Sequence, residues 1–286
     1  MTETPPSTVE RFFLAVWTIS TTTSAILGNL VVLIAIKRKS IKLDRISVVI
    51  IGNLAVADMG CGLYVMTNFI NIVAGRYVLG EKICYISVFL CNFFFSVSIL
   101  SLCSLNVSKA TCLAFPFLAR LRSTRQGCFI AGFIWIAALP ILGYVIMYHD
   151  DFYFSPEILR CTILLSKKES GASKTAAYIL FLYILIPGFI ILSCTIGLLI
   201  YTFRKAGKLK PGTLATNLCV SAVFLISLLP VGMKYILASQ GISNGHFTRF
   251  SSYLSVLNFA TNPIVYLFTI RSFGSFVRKS LSLQVF

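Results

Sequence analysis

Residues 47–73 read SVVIIGNLAVADMGCGLYVMTNFINIV, and this stretch decides the fold. Its one charged residue is Asp58, which lies near the middle. An α-helix needs about 20 mostly apolar residues to cross the hydrocarbon core of a bilayer, so the stretch predicts a membrane span. An ionised side chain at that depth is costly unless it faces a polar interior. Asp58 therefore predicts that this span packs against other helices and is not surrounded by lipid.

Further runs of the same kind predict an all-α membrane protein, a bundle of seven transmembrane helices. The predicted spans are 12–36, 47–73, 83–108, 127–148, 176–203, 214–238 and 249–270. The composition agrees, because 57% of the residues are hydrophobic and 12% are charged, against about 25% charged in a soluble domain. Residues 271–283 are amphipathic, which predicts a short helix on the membrane surface.

The distribution of charge predicts the orientation. The net charge is +16, but the charges cluster in short loops between apolar runs, which argues against nucleic acid as a partner and for a lipid bilayer. Most of the 25 lysines and arginines fall on one side, the cytoplasmic side by the positive-inside rule. We expect a multi-pass plasma-membrane protein with an extracellular N-terminus (1–11), a transmembrane domain (12–270) and a cytoplasmic amphipathic helix and tail (271–286).

Polar residues at bilayer depth share helix faces. In the last span, Ser251, Ser255, Asn258 and Asn262 recur at steps of three or four residues. Serines can bond back to their own helix carbonyls, but buried amides and a carboxylate need partners. A carboxylate with hydroxyl and amide oxygens suits a sodium ion, and it equally suits a protonated acid in a water network; no other cofactor is expected. The predicted polar core consists of Asn29, Asp58, Ser98, Asn258 and Asn262.

Short motifs on successive spans are more specific. Residues 28–31 read GNLV, 53–58 read NLAVAD and 262–266 read NPIVY. Single residues mark the spans between them: Cys84, Trp135, Pro187 and Pro230. In these features the chain resembles the rhodopsin-like (class A) G protein-coupled receptors over almost its whole length. The resemblance implies a cell-surface receptor, not an enzyme, that couples an extracellular ligand to a heterotrimeric G protein. It also implies a disulfide between Cys84 and Cys161, in the second extracellular loop.

The chain departs from the family's pattern where a G protein would bind. Ser108-Lys109-Ala110 stands in place of Asp-Arg-Tyr, so the central cation is a lysine without its acidic neighbour. Lysine is a point charge and does not reproduce the planar fork of arginine. The departures imply either raised basal activity or weakened coupling. Lys109 and the basic inner loops would form the docking surface. The activation and coupling residues implied by the resemblance are Ser108, Lys109, Ala110, Pro230, Pro263 and Tyr266.

The resemblance also narrows the class of ligand that we expect. The ligand would be a small molecule or a short peptide. Amine receptors carry an aspartate where this chain has Cys91, and opsins carry a lysine where it has Val256, so aminergic and retinal ligands are excluded. The predicted pocket is apolar with a few hydrogen-bonding groups. Three basic residues near its mouth would suit an anionic ligand, but solvated or snorkelling side chains explain them more simply; they are Lys234, His246 and Arg249. The pocket residues are Cys91, Asn92, Phe95, Ile179, Tyr183, Val231, Tyr235 and Ser252.

Three other functions compete with a signalling receptor. The lost Asp-Arg-Tyr motif leaves room for a non-signalling scavenger or dimerisation partner of the same fold. The polar core around Asp58 would suit a transporter or channel, although the sequence has no internal repeat. An enzyme is the least favoured, since the spans contain no nucleophile–base pair and the nine cysteines have no paired spacing for a metal.

Overall fold

The computed structural model describes residues 5–115, 117, 120–147, 152–163, 181–204, 211–239 and 244–282. Within this part of the chain, six helical segments are long and apolar enough to cross a membrane. The first six predicted spans correspond to these helices in order. The spanning segments are Thr8–Lys37, Arg45–Ala74, Lys82–Ala114, Thr124–Gly143, Leu182–Arg204 and Ala215–Lys234.

The seventh span is interrupted, which explains why length alone does not identify it. It consists of three consecutive helices, Gly245–Leu254, Leu257–Ala260 and Asn262–Thr269. Pro263 has no backbone N–H and cannot continue a helix from the preceding turn. A Cβ added to Gly28 would lie 2.9 Å from the Cβ of Pro263, so only glycine lets the first span approach the seventh this closely.

Local capping fixes where the spans begin. The side chain of Ser7 accepts a hydrogen bond from the backbone of Glu10, whose carboxylate accepts one from Ser7 N. This reciprocal capping box starts the first helix at Thr8, before the predicted boundary at residue 12. Asp44 is the N-cap of the second span, because its carboxylate accepts a hydrogen bond from Ser47 N at 3.0 Å. The helix of the second span ends at Ala74 and is capped by Gly75, which has a φ of 65°.

Interruptions also divide other spans. The first span is an α-helix over Thr8–Thr23, a π-helical turn over Ser24–Gly28 and an α-helix over Asn29–Lys37. The fourth is divided by Pro140. The remaining helices are Arg45–Ala74, Glu81–Ala114, Thr124–Ala138, Pro140–Met147, a π-helical turn Phe181–Leu185, Ile186–Arg204, Pro211–Ser239 and Arg271–Ser282.

The outer surface of the bundle is apolar. Large side chains such as Phe203 and Phe268 are 82% and 80% exposed. The interior also has an apolar core where the spans meet, including Leu54, Ile99 and Phe224. A chain that is apolar inside and outside suits a lipid environment, because a soluble surface does not expose this much hydrocarbon. The predicted all-α membrane bundle is therefore confirmed, and the predicted surface helix is present at Arg271–Ser282.

A two-stranded antiparallel sheet covers one end of the bundle. Strand Phe152–Ser155 pairs with strand Arg160–Ile163, with Phe154 opposite Cys161. Cys161 is disulfide-bonded to Cys84 at the start of the third span, with 5.5 Å between their Cα atoms. The predicted disulfide is thus confirmed. We call this end of the bundle the disulfide end, and the opposite end, which contains Lys109, the Lys109 end.

Candidate functional site: the polar interior of the bundle

The carboxylate of Asp58 joins three spans at the centre of the molecule. Asp58 is completely buried. The hydroxyl of Ser98 donates to its Oδ1 at 2.6 Å, and the amide of Asn262 donates to its Oδ2 at 2.8 Å. The structure therefore brings three of the five predicted polar-core residues together, one each from the second, third and seventh spans.

The other two predicted core residues have different roles. The amide of Asn29 donates to the carbonyls of Ala25 and Phe259, at 2.8 and 3.3 Å, and so links the first span to the seventh. Neither Asn29 nor Asn258 bonds the carboxylate. Three buried atoms around the core have no partner among the described residues: Asn29 Oδ1, Asn258 Nδ2 and Tyr266 Oη. Buried polar atoms are normally satisfied, so these atoms indicate room for water or an ion.

At the Lys109 end, one hydrogen bond joins the third span to the sixth. The ammonium of Lys109 donates to Oδ1 of Asn217 at 2.6 Å. Lys109 is 8% exposed and Asn217 is 2% exposed. The docking surface predicted from the sequence included Lys109, whereas this structure buries it. An amide oxygen thus takes the place of the acid that the sequence lacks, a partner that nothing in the motif pattern indicated.

Ser108 has an equally local partner. The guanidinium of Arg122 donates to the hydroxyl of Ser108 at 2.6 Å and to its carbonyl at 2.9 Å. The same guanidinium lies 3.8 Å from the carboxylate of Asp44. Ala110 is half-buried and has no polar side chain to contribute. Arg122 therefore connects the end of the third span to the start of the second.

The predicted hinge residues lie in the interior. Tyr266 and Pro263 are buried next to the interruption of the seventh span, and Pro230 is half-buried inside the unbroken sixth helix. On the fifth span, the hydroxyl of Thr195 lies 2.8 Å from that of Ser221. This contact joins the fifth and sixth spans next to the Lys109–Asn217 bond.

The predicted pocket residues lie toward the disulfide end but do not all face one space. Cys91 and Phe95 pack with Tyr64 in one apolar cluster. Tyr183 packs with the disulfide and donates to the carbonyl of Ala137 at 2.6 Å, so it faces the fourth span. Asn92 donates to its own helix and Val231 is half-buried. Ile179 and the side chain of Tyr235 lie outside the described residues.

Two cations converge on Ser252. Nη1 of Arg160 donates to the carbonyl of Ser252 at 3.1 Å, and Nζ of Lys234 lies 3.3 Å from its hydroxyl. The guanidinium of Arg160 also stacks on Tyr253, 4.1 Å from the ring centroid. Sequence reasoning missed Arg160. Its position directly before Cys161 was the available signal, because the disulfide holds that residue over the bundle.

Arg249 corrects the expectation of solvated charges at the mouth. It is 7% exposed. Its Nε donates to the carbonyl of Glu157 at 3.0 Å, and its Nη1 pairs with the carboxylate of Glu10 at 2.9 Å. This contact fastens the start of the first helix to the seventh span. His246, by contrast, is exposed as expected.

Seven apolar spans around a buried carboxylate, with a disulfide-held hairpin at one end, define a multi-pass membrane protein of the receptor type. The model of the family described as 7 transmembrane receptor (rhodopsin family) matches residues 28–266. The match covers more than half of the chain, and the protein belongs to this family. Its members are receptors and not enzymes, as the sequence predicted.

Several known receptors are similar to the chain. G-protein coupled receptor GRL101 of Lymnaea stagnalis is 21% identical over 89% of this chain and 24% of its own length. Lysophosphatidic acid receptor 4 of Homo sapiens is 26% identical over 81% of this chain and 68% of its own length. Neuropeptides B/W receptor type 2 of Bos taurus is 25% identical over 91% of this chain and 82% of its own length. The chain thus spans about a quarter of the length of GRL101.

Proposed function

We propose that the protein is a cell-surface receptor that binds a ligand at the disulfide end and couples it to a heterotrimeric G protein at the Lys109 end. The hydrogen bond between Lys109 and Asn217 is the main support. It closes the bundle between the third and sixth spans with one buried contact. Breaking that contact would let the two helix ends separate and expose a site for a partner.

The orientation is part of the proposal. A structural disulfide forms in an oxidising compartment, which favours an extracellular disulfide end. Described cations at the opposite end include Lys37, Arg38 and Lys39, as the positive-inside rule requires of a cytoplasmic loop. The relatives are named for lysophosphatidic acid and for neuropeptides, so their names do not agree on one ligand for this chain.

Nucleotide exchange tests the coupling. The purified protein in lipid nanodiscs is mixed with a panel of heterotrimeric G proteins, and GTP-analogue uptake is followed. Asn217→Leu removes the partner of Lys109 and should raise basal exchange several-fold over the wild type. Asn106→Leu is the matched control, since Asn106 is 2% exposed on the third span and donates only to its own helix, at 2.9 Å to Leu102 O. The absence of exchange with every G protein, in the wild type and in Asn217→Leu, would overturn the proposal.

A second function keeps the fold without the signal. The replacement of Asp-Arg-Tyr by Ser108-Lys109-Ala110 favours a scavenger or dimerisation partner. The combined substitution Ser108→Asp, Lys109→Arg and Ala110→Tyr distinguishes the two functions. Exchange that appears only in this triple variant would favour the second function, and exchange in the wild type would exclude it.

We also propose that a sodium ion binds at Asp58. The carboxylate, the Ser98 hydroxyl and the unpartnered Oδ1 of Asn29 supply oxygen atoms at the centre of the bundle. Among the described residues there is no cluster of three or more His, Cys, Asp or Glu for a more strongly bound metal. Sodium should raise the melting temperature above that in choline at equal ionic strength, and Asp58→Asn should remove the difference. An equal rise in both proteins would exclude the site.

A further inference from the structure

We infer that the disulfide end binds an anionic ligand, a carboxylate or phosphate monoester carried on an apolar body, and that Arg160 recognises its oxygen atoms. The inference rests on the proposed receptor function, for which it names the class of ligand. Its basis is one buried guanidinium with two nitrogen atoms that have no partner in the part of the chain that the structure describes.

Arg160 is 7% exposed, yet it is only partly satisfied. Nη1 donates to Ser252 O, whereas Nε and Nη2 have no hydrogen-bond partner among the described residues. Nε and Nη2 form one edge of the guanidinium, and their N–H bonds point the same way. That edge is the fork that binds two oxygen atoms of a carboxylate or phosphate side by side.

No carboxylate among the described residues pairs with Arg160. Buried charged donors without a partner are strongly unfavourable, so this arrangement is favoured when an external acceptor arrives. The second cation of this end, Lys234, donates a hydrogen bond to the hydroxyl of Ser252. Arg160 and Lys234 are close enough to repel each other, while the acid Glu157 of this end attracts Lys234. An anion between the two cations would offset that repulsion.

The surroundings of Arg160 describe the rest of the ligand. One face of the guanidinium is covered by the ring of Tyr253. Tyr64 and Cys91 lie within range of its charge and belong to an apolar cluster with Phe94 and Phe95. A free inorganic anion would leave this cluster without a contact. An anionic head with a hydrocarbon or aromatic body would contact both parts of the site.

Direct binding tests the inference without a G protein. The protein, in nanodiscs of zwitterionic lipid, is titrated with dodecyl phosphate, dodecanoate, dodecyltrimethylammonium and inorganic phosphate. The two anionic amphiphiles should bind and raise the melting temperature, and the cationic amphiphile should not. Binding by inorganic phosphate as tight as by dodecyl phosphate would overturn the apolar-body part. Equal binding of the cation would overturn the whole inference.

Variants of the same protein locate the site. Arg160→Gln should weaken dodecyl phosphate binding at least about thirtyfold, the effect of truncating one partner of a buried charge pair. Arg160→Lys keeps the charge but lacks the planar fork, so its affinity for dodecyl phosphate should lie between those of the wild type and Arg160→Gln. Lys234→Gln should also weaken binding. Arg122→Gln, at the Lys109 end, is the control and should bind as the wild type does. Should Arg160→Gln fail to fold, unchanged affinity in both Arg160→Lys and Lys234→Gln would overturn the inference.

The receptor proposal and the ligand class fail separately. Anion binding that depends on Arg160 without any nucleotide exchange would leave the ligand class standing and contradict the coupling. Nucleotide exchange that responds only to neutral or cationic compounds would support the coupling and contradict the anionic ligand class.

Discussion

Arg160 at the disulfide end and Lys109 at the opposite end are both buried cations, 7% and 8% exposed, but their partners differ. Lys109 has an amide oxygen of the same protein at 2.6 Å, whereas two nitrogen atoms of Arg160 have no partner within the described ranges. A buried charge with an internal partner stabilises the closed conformation. A buried charge with an unpartnered edge favours an external partner. The comparison therefore assigns closure to one end and recognition to the other.

The largest expected effect comes from releasing the hairpin that carries Arg160. Cys84→Ser with Cys161→Ser removes a disulfide between residues 77 positions apart, for which a chain-entropy model gives a loss of about 4 kcal/mol. The melting temperature should fall sharply, and dodecyl phosphate binding should fall with it. Cys128→Ser, at an exposed free cysteine, is the control. Wild-type anion affinity in the double variant would mean that the disulfide does not position Arg160.

The next largest effect is expected at the Lys109 end, on removal of the hydrogen bond between Lys109 and Asn217. Asn217→Leu leaves a buried ammonium without its acceptor and should cost about 3 kcal/mol. Lys109→Met with Asn217→Leu removes both partners and should recover most of the loss, because two apolar groups need no hydrogen bond. Thermal stability of the two single variants and the double variant measures this coupling. Additive losses would show that the 2.6 Å bond contributes little.

The sequence predicts the membrane spans better than it predicts their exact boundaries. Length and hydropathy suffice for the spans, because crossing a bilayer dictates both. They miss the exact helix starts, which depend on capping contacts such as that of Ser7 with Glu10. The interruption of the seventh span at Pro263 is suggested by the proline, but the extent of the break depends on packing against Gly28.

For the candidate site, residue type was predictable and pairing was not. A lone carboxylate in an apolar run must have polar neighbours, so a polar set around Asp58 that includes Ser98 and Asn262 could be predicted, but not which of its members bond the carboxylate. Asn217 as the partner of Lys109 depends on how the third and sixth spans are rotated, which periodicity does not determine. Arg160 looked like any loop cation, because only the disulfide returns it to the bundle.

A smaller effect is expected between the two ends, at Asp58. Ser98→Ala removes one of the two hydrogen bonds that the carboxyl group accepts, at 2.6 Å, and should cost about 2 kcal/mol because a buried acceptor then loses its donor. Ser87→Ala on the same span is the control, since that hydroxyl donates only to its own helix, at 2.8 Å to Cys84 O. Thermal melting of both variants checks the difference. Equal losses would mean that Asp58 does not depend on Ser98.

The smallest effect concerns a second arginine at the disulfide end. Arg249 is as buried as Arg160, at 7% exposed, but it has a carboxylate partner in Glu10, whose side chain is 42% exposed. Glu10→Gln removes that charge while a glutamine can still complete the capping box with Ser7. Because the pair is partly exposed, the loss should be below about 1 kcal/mol and should shrink in high salt. Melting temperatures at two ionic strengths measure it.

Glu10→Gln also distinguishes the roles of the two arginines in ligand binding. The affinity for dodecyl phosphate should change far less in Glu10→Gln than in Arg160→Gln, because the ligand binds the unpartnered edge of Arg160 and not the guanidinium that Glu10 already holds. Equal changes in the two variants would mean that the ligand responds to the summed charge of the disulfide end. The distinction between a satisfied and an unsatisfied arginine would then have no part in recognition.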